Sequence, residues 1–120
     1  MPSKRPKTRL QDIAENAGRI LGYTAGMDFS AFEKSALVRD ATERCLLRIS
    51  EAATKLGPDA ETLLPDHPWQ QIRSIGNILR HMYEDIDAAI IWTIVSEQLP
   101  MLLADIEDTV AKLPDDDFAL

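Results

Sequence analysis

The sequence predicts an all-α protein, an up-and-down four-helix bundle, and three observations predict it. Apolar residues recur at steps of three and four along most of the chain, which is the period of an amphipathic helix. No β-alternation, Gly-rich phosphate loop, CxxC pair or internal repeat interrupts that pattern. Stop signals divide the chain into four helical segments with short connections, the pattern of a bundle.

Residues 1–7 hold Pro2, Pro6 and part of a basic run that extends to Arg9, so they read as a flexible basic arm. A first helix starts at Thr8 and places Leu10, Ile13, Ala17, Ile20, Leu21 and Thr24 on one side. Gly22 and Gly26 weaken its end, and a turn at residues 28–30 follows. A second helix is expected over residues 30–55. Its seam is Val38, Ala41, Cys45, Ile49, Ala52 and Leu56, and Gly57-Pro58 ends it. Residues 57–67 form a loop with a short apolar turn at residues 62–64.

The third helix has a clear start: Asp66 as cap, Pro68 in the first turn and Trp69 opening the apolar face. Ile72, Ile75, Leu79, Met82 and Ile86 continue that face, and Asp85 and Asp87 mark a break. A fourth helix is expected over residues 88–113, kinked at Pro100, which lacks the backbone donor a helix interior needs. Residues 114–120 are an acidic tail. The organisation is thus one domain over residues 8–113 between an arm and a tail. Bundles this small often complete their core by pairing, so a homodimer is the expected assembly.

Composition narrows the function classes. With 120 residues, 45% of them apolar, the chain has the size and content of one globular domain. The apolar stretch 88–104 is interrupted by Glu97, Gln98 and Pro100, so no membrane span is expected. The charged start has no apolar run after it, which argues against a secretory signal. A lone Cys45 allows no intrachain disulfide, so a reducing cytoplasm is the expected location. Net charge is -7, unevenly spread. Residues 1–83 carry twelve Lys/Arg against ten Asp/Glu, whereas residues 84–120 carry Lys112 against ten acids. That balance disfavours non-specific duplex binding but leaves room for a small basic site.

Chemistry concentrates in residues 73–83. Arg73, Asn77 and His81 fall at i, i+4 and i+8, with Arg80 and Glu84 flanking the same ridge. At about 100° per residue the ridge turns away from Ile72, Ile75 and Leu79. Two guanidiniums and an imidazole make a candidate phosphate site: arginine forks phosphate oxygens, and histidine moves protons near neutral pH. The plain alternative is a solvated polar face. His67 reads as a loop or cap residue, Trp69 and Trp92 as packing anchors, and Cys45 as an inert seam residue. No metal-ligand spacing and no cofactor motif are visible.

The run from Pro68-Trp69 through Gly76-Asn77-Ile78-Leu79-Arg80-His81-Met82-Tyr83 resembles the HepT-like ribonuclease family of the HEPN superfamily. That family carries a Pro-Trp helix start and an R-N-x-L-x-H-x-Y signature, and residues 91–102 look like its last helix. The resemblance implies a HEPN-like dimer of bundles whose cleft holds the Arg and His of both subunits. It implies an endoribonuclease toxin of a toxin–antitoxin pair that cleaves RNA without metal. It also implies a nucleotidyltransferase antitoxin that adds AMP to the signature tyrosine. Asn77, Leu79, His81 and Tyr83 match the signature, whereas Gly76 stands at the position of the signature arginine. Under this resemblance His81 is the proton-transferring residue, Arg80 or Arg73 supplies the missing positive charge, Asn77 orients His81, and Tyr83 is the modification acceptor. A second reading is an inactive HEPN dimer that binds nucleotide or a nucleotidyltransferase partner without cutting.

Overall fold

A computed structural model describes residues 5–81 and 87–116. Every regular element among them is helical. Helix α1 (Pro6–Tyr23) leads through a turn to α2 (Phe29–Lys34), α3 (Ala36–Leu56), α4 (Asp59–Leu63) and α5 (Trp69–His81). After residue 87 come α6 (Ala88–Thr93), a π-turn over Ile94–Gln98, and α7 (Leu99–Lys112). The central helix α3 packs against α1 on one side and α5 on the other, and α1 also packs on α7. The core between them is aliphatic. Leu10, Ile13 and Ile20 from α1 meet Leu46, Ile49 and Leu56 from α3, with Leu102 and Ile106 from α7.

The second expected helix is two. Ser35 leaves helical geometry (ψ 95°), and its Oγ accepts the Val38 N–H at 3.2 Å, capping α3. A serine side chain satisfies a helix's unpaired donors best from an extended backbone, so it divides what apolar periodicity alone joins. The short α2 is capped by Asp28 Oδ1, which accepts from Ala31 N at 2.8 Å. It buries Phe32 against Trp92, ring centroids 5.2 Å apart. At the far end of α3, Gly57 adopts φ +63°, a region that favours glycine, and the chain turns into α4. The expected loop thus contains a helical turn over Asp59–Leu63.

Helix α5 begins at Trp69, as its sequence signals predict, with the Pro68 carbonyl accepting the Ile72 N–H. Asp66 makes no capping hydrogen bond among the described residues. Trp69 is buried and its indole N–H donates to Leu64 O at 2.7 Å. His67 Nε2 lies 2.7 Å from Asp105 Oδ2 and so ties the entry to α5 onto α7, the loop role its position suggests. Cys45 is buried in the core seam.

The kink expected at Pro100 takes the form of a widened turn just before it. Leu99 N–H reaches Ile94 O, a five-residue step. Proline has no N–H and its ring crowds the carbonyl four residues back, and a π-turn relieves both. Helical structure runs from Ala88 to Lys112, past Glu97, Gln98 and Pro100, as the expected fourth helix, although those residues interrupt its apolar run in the sequence. That stretch is long and apolar enough, by composition, to cross a membrane. Core packing accounts for one face of it: Ile91, Val95, Leu99, Leu102 and Ile106 are all buried in the bundle.

The chain's ends meet. Pro6 and Lys7, placed by the sequence in the arm, form the first turn of α1. Asp116 accepts hydrogen bonds from Lys7 N at 3.0 Å and Thr8 N at 2.7 Å, and Lys7 Nζ reaches Asp115 Oδ1 at 3.0 Å. A carboxylate at a helix N-terminus meets both the free N–H groups and the positive end of the dipole.

Candidate active site

Two kinds of contact fix α5. Its apolar stripe, led by buried Ile72, faces the core, and Ile75 and Leu79 are half-buried beside it. A second seam runs along α3 and is set by a close approach at Gly76. Ser50, itself buried, accepts the Gly76 N–H at 2.9 Å and donates its hydroxyl to Arg73 O at 2.7 Å. A β-carbon built on Gly76 would stand 2.6 Å from Ser50 Oγ, closer than any real contact. Glycine is therefore required where the two backbones approach. A longer side chain, arginine included, meets the same obstruction at this position.

The two arginines of the ridge have different surroundings. Arg73 is consumed by structure. Its Nη1 and Nη2 grip both oxygens of Glu61 at 2.8 and 2.6 Å, and Nη2 also donates to Gly57 O at 2.8 Å. The hydrogen-bonded pairing holds the Glu61 carboxyl below the usual glutamate range and raises the guanidinium's affinity for its proton. The ridge is thus not uniformly turned to solvent, since its first member clamps α5 to the α3–α4 turn.

Arg80 is about half exposed and folds back along the helix. Its Nη2 donates to Asn77 Oδ1 at 3.2 Å, and its Nη1 lies 3.6 Å from Glu51 Oε1. Nη2 also stands 3.3 Å from where a Gly76 β-carbon would be. The guanidinium thus lies over Gly76, reached from the next turn. Sequence spacing alone missed this, because it counts angles at the backbone and not the reach of a long side chain. Asn77 and His81 are exposed, and His81 is the last residue of α5. Tyr83, the expected modification acceptor, and Glu84 lie outside the described residues.

Beside this polar end lies an apolar groove of about 430 Å³ between α5 and the α6–π-turn segment. Ile75, Ile78, Leu79, Ile90 and Ile94 line it. Ile78 and Ile90 are 46% and 60% exposed, unusual for isoleucine and enough to make this an unfilled apolar surface.

An Asn77–Arg80 pair and an exposed His81 on one helix end are groups able to hydrogen-bond a phosphate ester and to transfer a proton. Comparison with known proteins gives the family. Residues 13–109 match the model of the ribonuclease HepT-like family, and the chain belongs to that family. A Methanocaldococcus jannaschii protein provisionally named an RNase is 32% identical over 107 residues, which span 89% of this chain and 98% of that one. A second, similarly named protein of the same organism is 32% identical over 98% of this chain and 97% of its own length. A Thermococcus cleftensis protein provisionally named ribonuclease HepT is 31% identical over 80% of this chain and 87% of its own. No solved structure matches the chain.

Proposed function

We propose that this protein is the RNA-cleaving toxin of a toxin–antitoxin pair, an endoribonuclease acting in the cytoplasm without a divalent ion. Its working form is a homodimer of up-and-down four-helix bundles. The carrying observation is Arg80, held over Gly76 by Asn77 one turn before the exposed His81. Arg80 supplies the positive charge that the signature arginine supplies elsewhere in the family, and Arg73, bound to Glu61, does not.

In the reaction His81 removes the proton of a ribose 2′-hydroxyl while the 2′-oxygen attacks the adjacent phosphorus. The new P–O2′ bond forms as the P–O5′ bond breaks, and an imidazolium returns a proton to the departing 5′-oxygen. Arg80 holds the non-bridging oxygens as charge builds on them. The products end in a 2′,3′-cyclic phosphate and a 5′-hydroxyl. Asn77 positions Arg80 through its side-chain oxygen.

The apolar groove beside α5 supports the dimer, since Ile78 and Ile90 gain cover when two copies meet there and the two His81 ends then share a cleft. The controlling partner is a nucleotidyltransferase antitoxin. AMP placed on Tyr83, two residues beyond His81, adds bulk and negative charge that keep RNA phosphate away. A second reading, an inactive HEPN dimer that binds nucleotide or the nucleotidyltransferase, is favoured by one observation: Gly76 leaves no room for the signature arginine.

Expression of the chain alone in bacteria, beside His81→Ala, separates the two. The nuclease reading expects growth arrest that vanishes in the variant. It also expects purified protein to yield cyclic-phosphate ends in the presence of a chelator, at a rate about 10²–10⁴ above His81→Ala. Chelator-sensitive cleavage, or full activity in His81→Ala, removes the mechanism. Absence of cleavage with tight nucleotidyltransferase binding leaves the second reading.

A further inference from the structure

The face of the bundle formed by α1 and α3 holds a groove of about 240 Å³ that the scheme above leaves unused. Arg9, Asp12, Asn16, Arg48, Glu51 and Lys55 line it. Its two carboxylates already face cations: Asp12 lies 3.7 Å from Arg9, and Glu51 lies 3.6 Å from Arg80. Arg48 and Lys55 are exposed and have no ion-pair partner among the described residues. At the floor, Asn16 is only 8% exposed. Its Nδ2 donates to Asp12 O, while its Oδ1 accepts no hydrogen bond among the described residues. A buried acceptor left unmet is costly, and a ligand hydroxyl can meet it.

We infer that this groove carries single-stranded RNA away from the cleavage site, with backbone phosphates on Arg48 and Lys55. The inference rests on the proposed ribonuclease reading and extends its site. Three features fit a strand better than a lone phosphate. Arg48 and Lys55 stand two turns apart on α3, roughly 10 Å along the axis, a separation that successive backbone phosphates of an extended strand can span. Glu51 belongs to the groove and also touches Arg80, so the groove opens directly beside the proposed reacting phosphate. Residues 84–120 carry one lysine against ten acids, so a polyanion meets less repulsion on α1 and α3 than on α7. Glu51 then has a second part: it holds Arg80 while the groove is empty and gives it up to RNA phosphate.

The test measures binding of a short dye-labelled single-stranded RNA to full-length protein carrying His81→Ala, by fluorescence anisotropy across a salt series. Adding Arg48→Gln with Lys55→Gln is expected to weaken binding about tenfold and to flatten the log–log salt slope by about 1.4, two phosphate contacts on a single strand. Adding Glu51→Gln instead is expected to tighten binding severalfold, as loss of a carboxylate from a phosphate-binding groove requires. Circular dichroism confirms folding, and Lys55→Arg in place of Lys55→Gln restores part of the affinity. Unchanged affinity and slope in the folded double variant overturn the groove. If the protein with His81 intact cleaves RNA equally well with and without the two groove substitutions, the groove fails and the nuclease reading stands. Salt-dependent groove binding by a protein that never cleaves leaves the groove standing and the nuclease reading fallen.

Discussion

The two ends of α5 carry the same residue types in different states. At its beginning Arg73 grips Glu61 and two backbone carbonyls, and at its end Arg80 rests on Asn77 with one long contact to Glu51. Seven residues separate them, so both project from nearly the same side of the helix. The neighbourhood makes the difference. Near Arg73 the chain turns through Gly57 into α4, presenting the outward carbonyls of Ala53 and Gly57 and a carboxylate at bidentate distance. Near Arg80 the described residues offer Asn77 and the exposed side of α3. One guanidinium is spent on closing the fold, and the other keeps two looser, exposed contacts, which is what the proposed phosphate role needs.

The sharpest way to break this comparison is to truncate each arginine in turn. Arg80→Ala is expected to lower RNA cleavage by about 10²–10³, the usual effect of removing one charge-stabilising donor, while leaving the melting temperature nearly unchanged. Arg73→Ala is expected to do the reverse, lowering the melting temperature by roughly a few degrees through its lost contacts to Glu61, Gly57 and Ala53 while cleavage is kept. Cleavage assays paired with thermal melts read both, and a stable, inactive Arg73→Ala would exchange the two roles.

The seam between those ends is the next target. Gly76→Ala forces a β-carbon against Ser50 Oγ and threatens both of that hydroxyl's hydrogen bonds. The expected loss is about 1–3 kcal/mol by urea denaturation. Restoring the family's arginine at this position is expected to cost at least as much, so it does not rescue activity. If Gly76→Arg is stable and more active, the close approach is not what excludes arginine here.

The smallest effect concerns acid. Burial pushes the Asp116 carboxyl up, but hydrogen bonds from Thr8 and Lys7 outweigh it and hold the group below the ordinary aspartate value. Glu61 is held low by its hydrogen bonds to Arg73. For both, the folded state binds its proton more weakly than the unfolded chain. Their stabilisation is therefore complete above the ordinary values near 4, and disappears as pH falls through the lowered folded ones. Melting temperature is expected to fall below pH of about 4, and less steeply in Asp116→Asn. A wild-type melt that stays flat to pH of about 2 would show that neither contact persists in solution.

Much of the fold was legible because helical period and punctuation are local properties. The apolar spacing located α1, α3 and α5, and the Pro68-Trp69 start of α5 was readable to the residue. Ser35 was a readable signal that periodicity overrode, since serine before an apolar run is a capping pattern. The same run that located α5 also carried the family resemblance, because Asn77, Leu79, His81 and Tyr83 keep the signature spacing.

By itself, the sequence determined which residues form helices and which helix end bears the polar cluster, for both follow from neighbours within a turn or two. The tertiary structure alone decided which arginine is free, why position 76 holds glycine and where the two chain ends meet. Those outcomes depend on groups that approach from distant parts of the chain. Ser50 lies 26 residues before Gly76, and Thr8 lies 108 residues before Asp116. No local spacing can report which side chain or carbonyl will stand opposite once the helices pack.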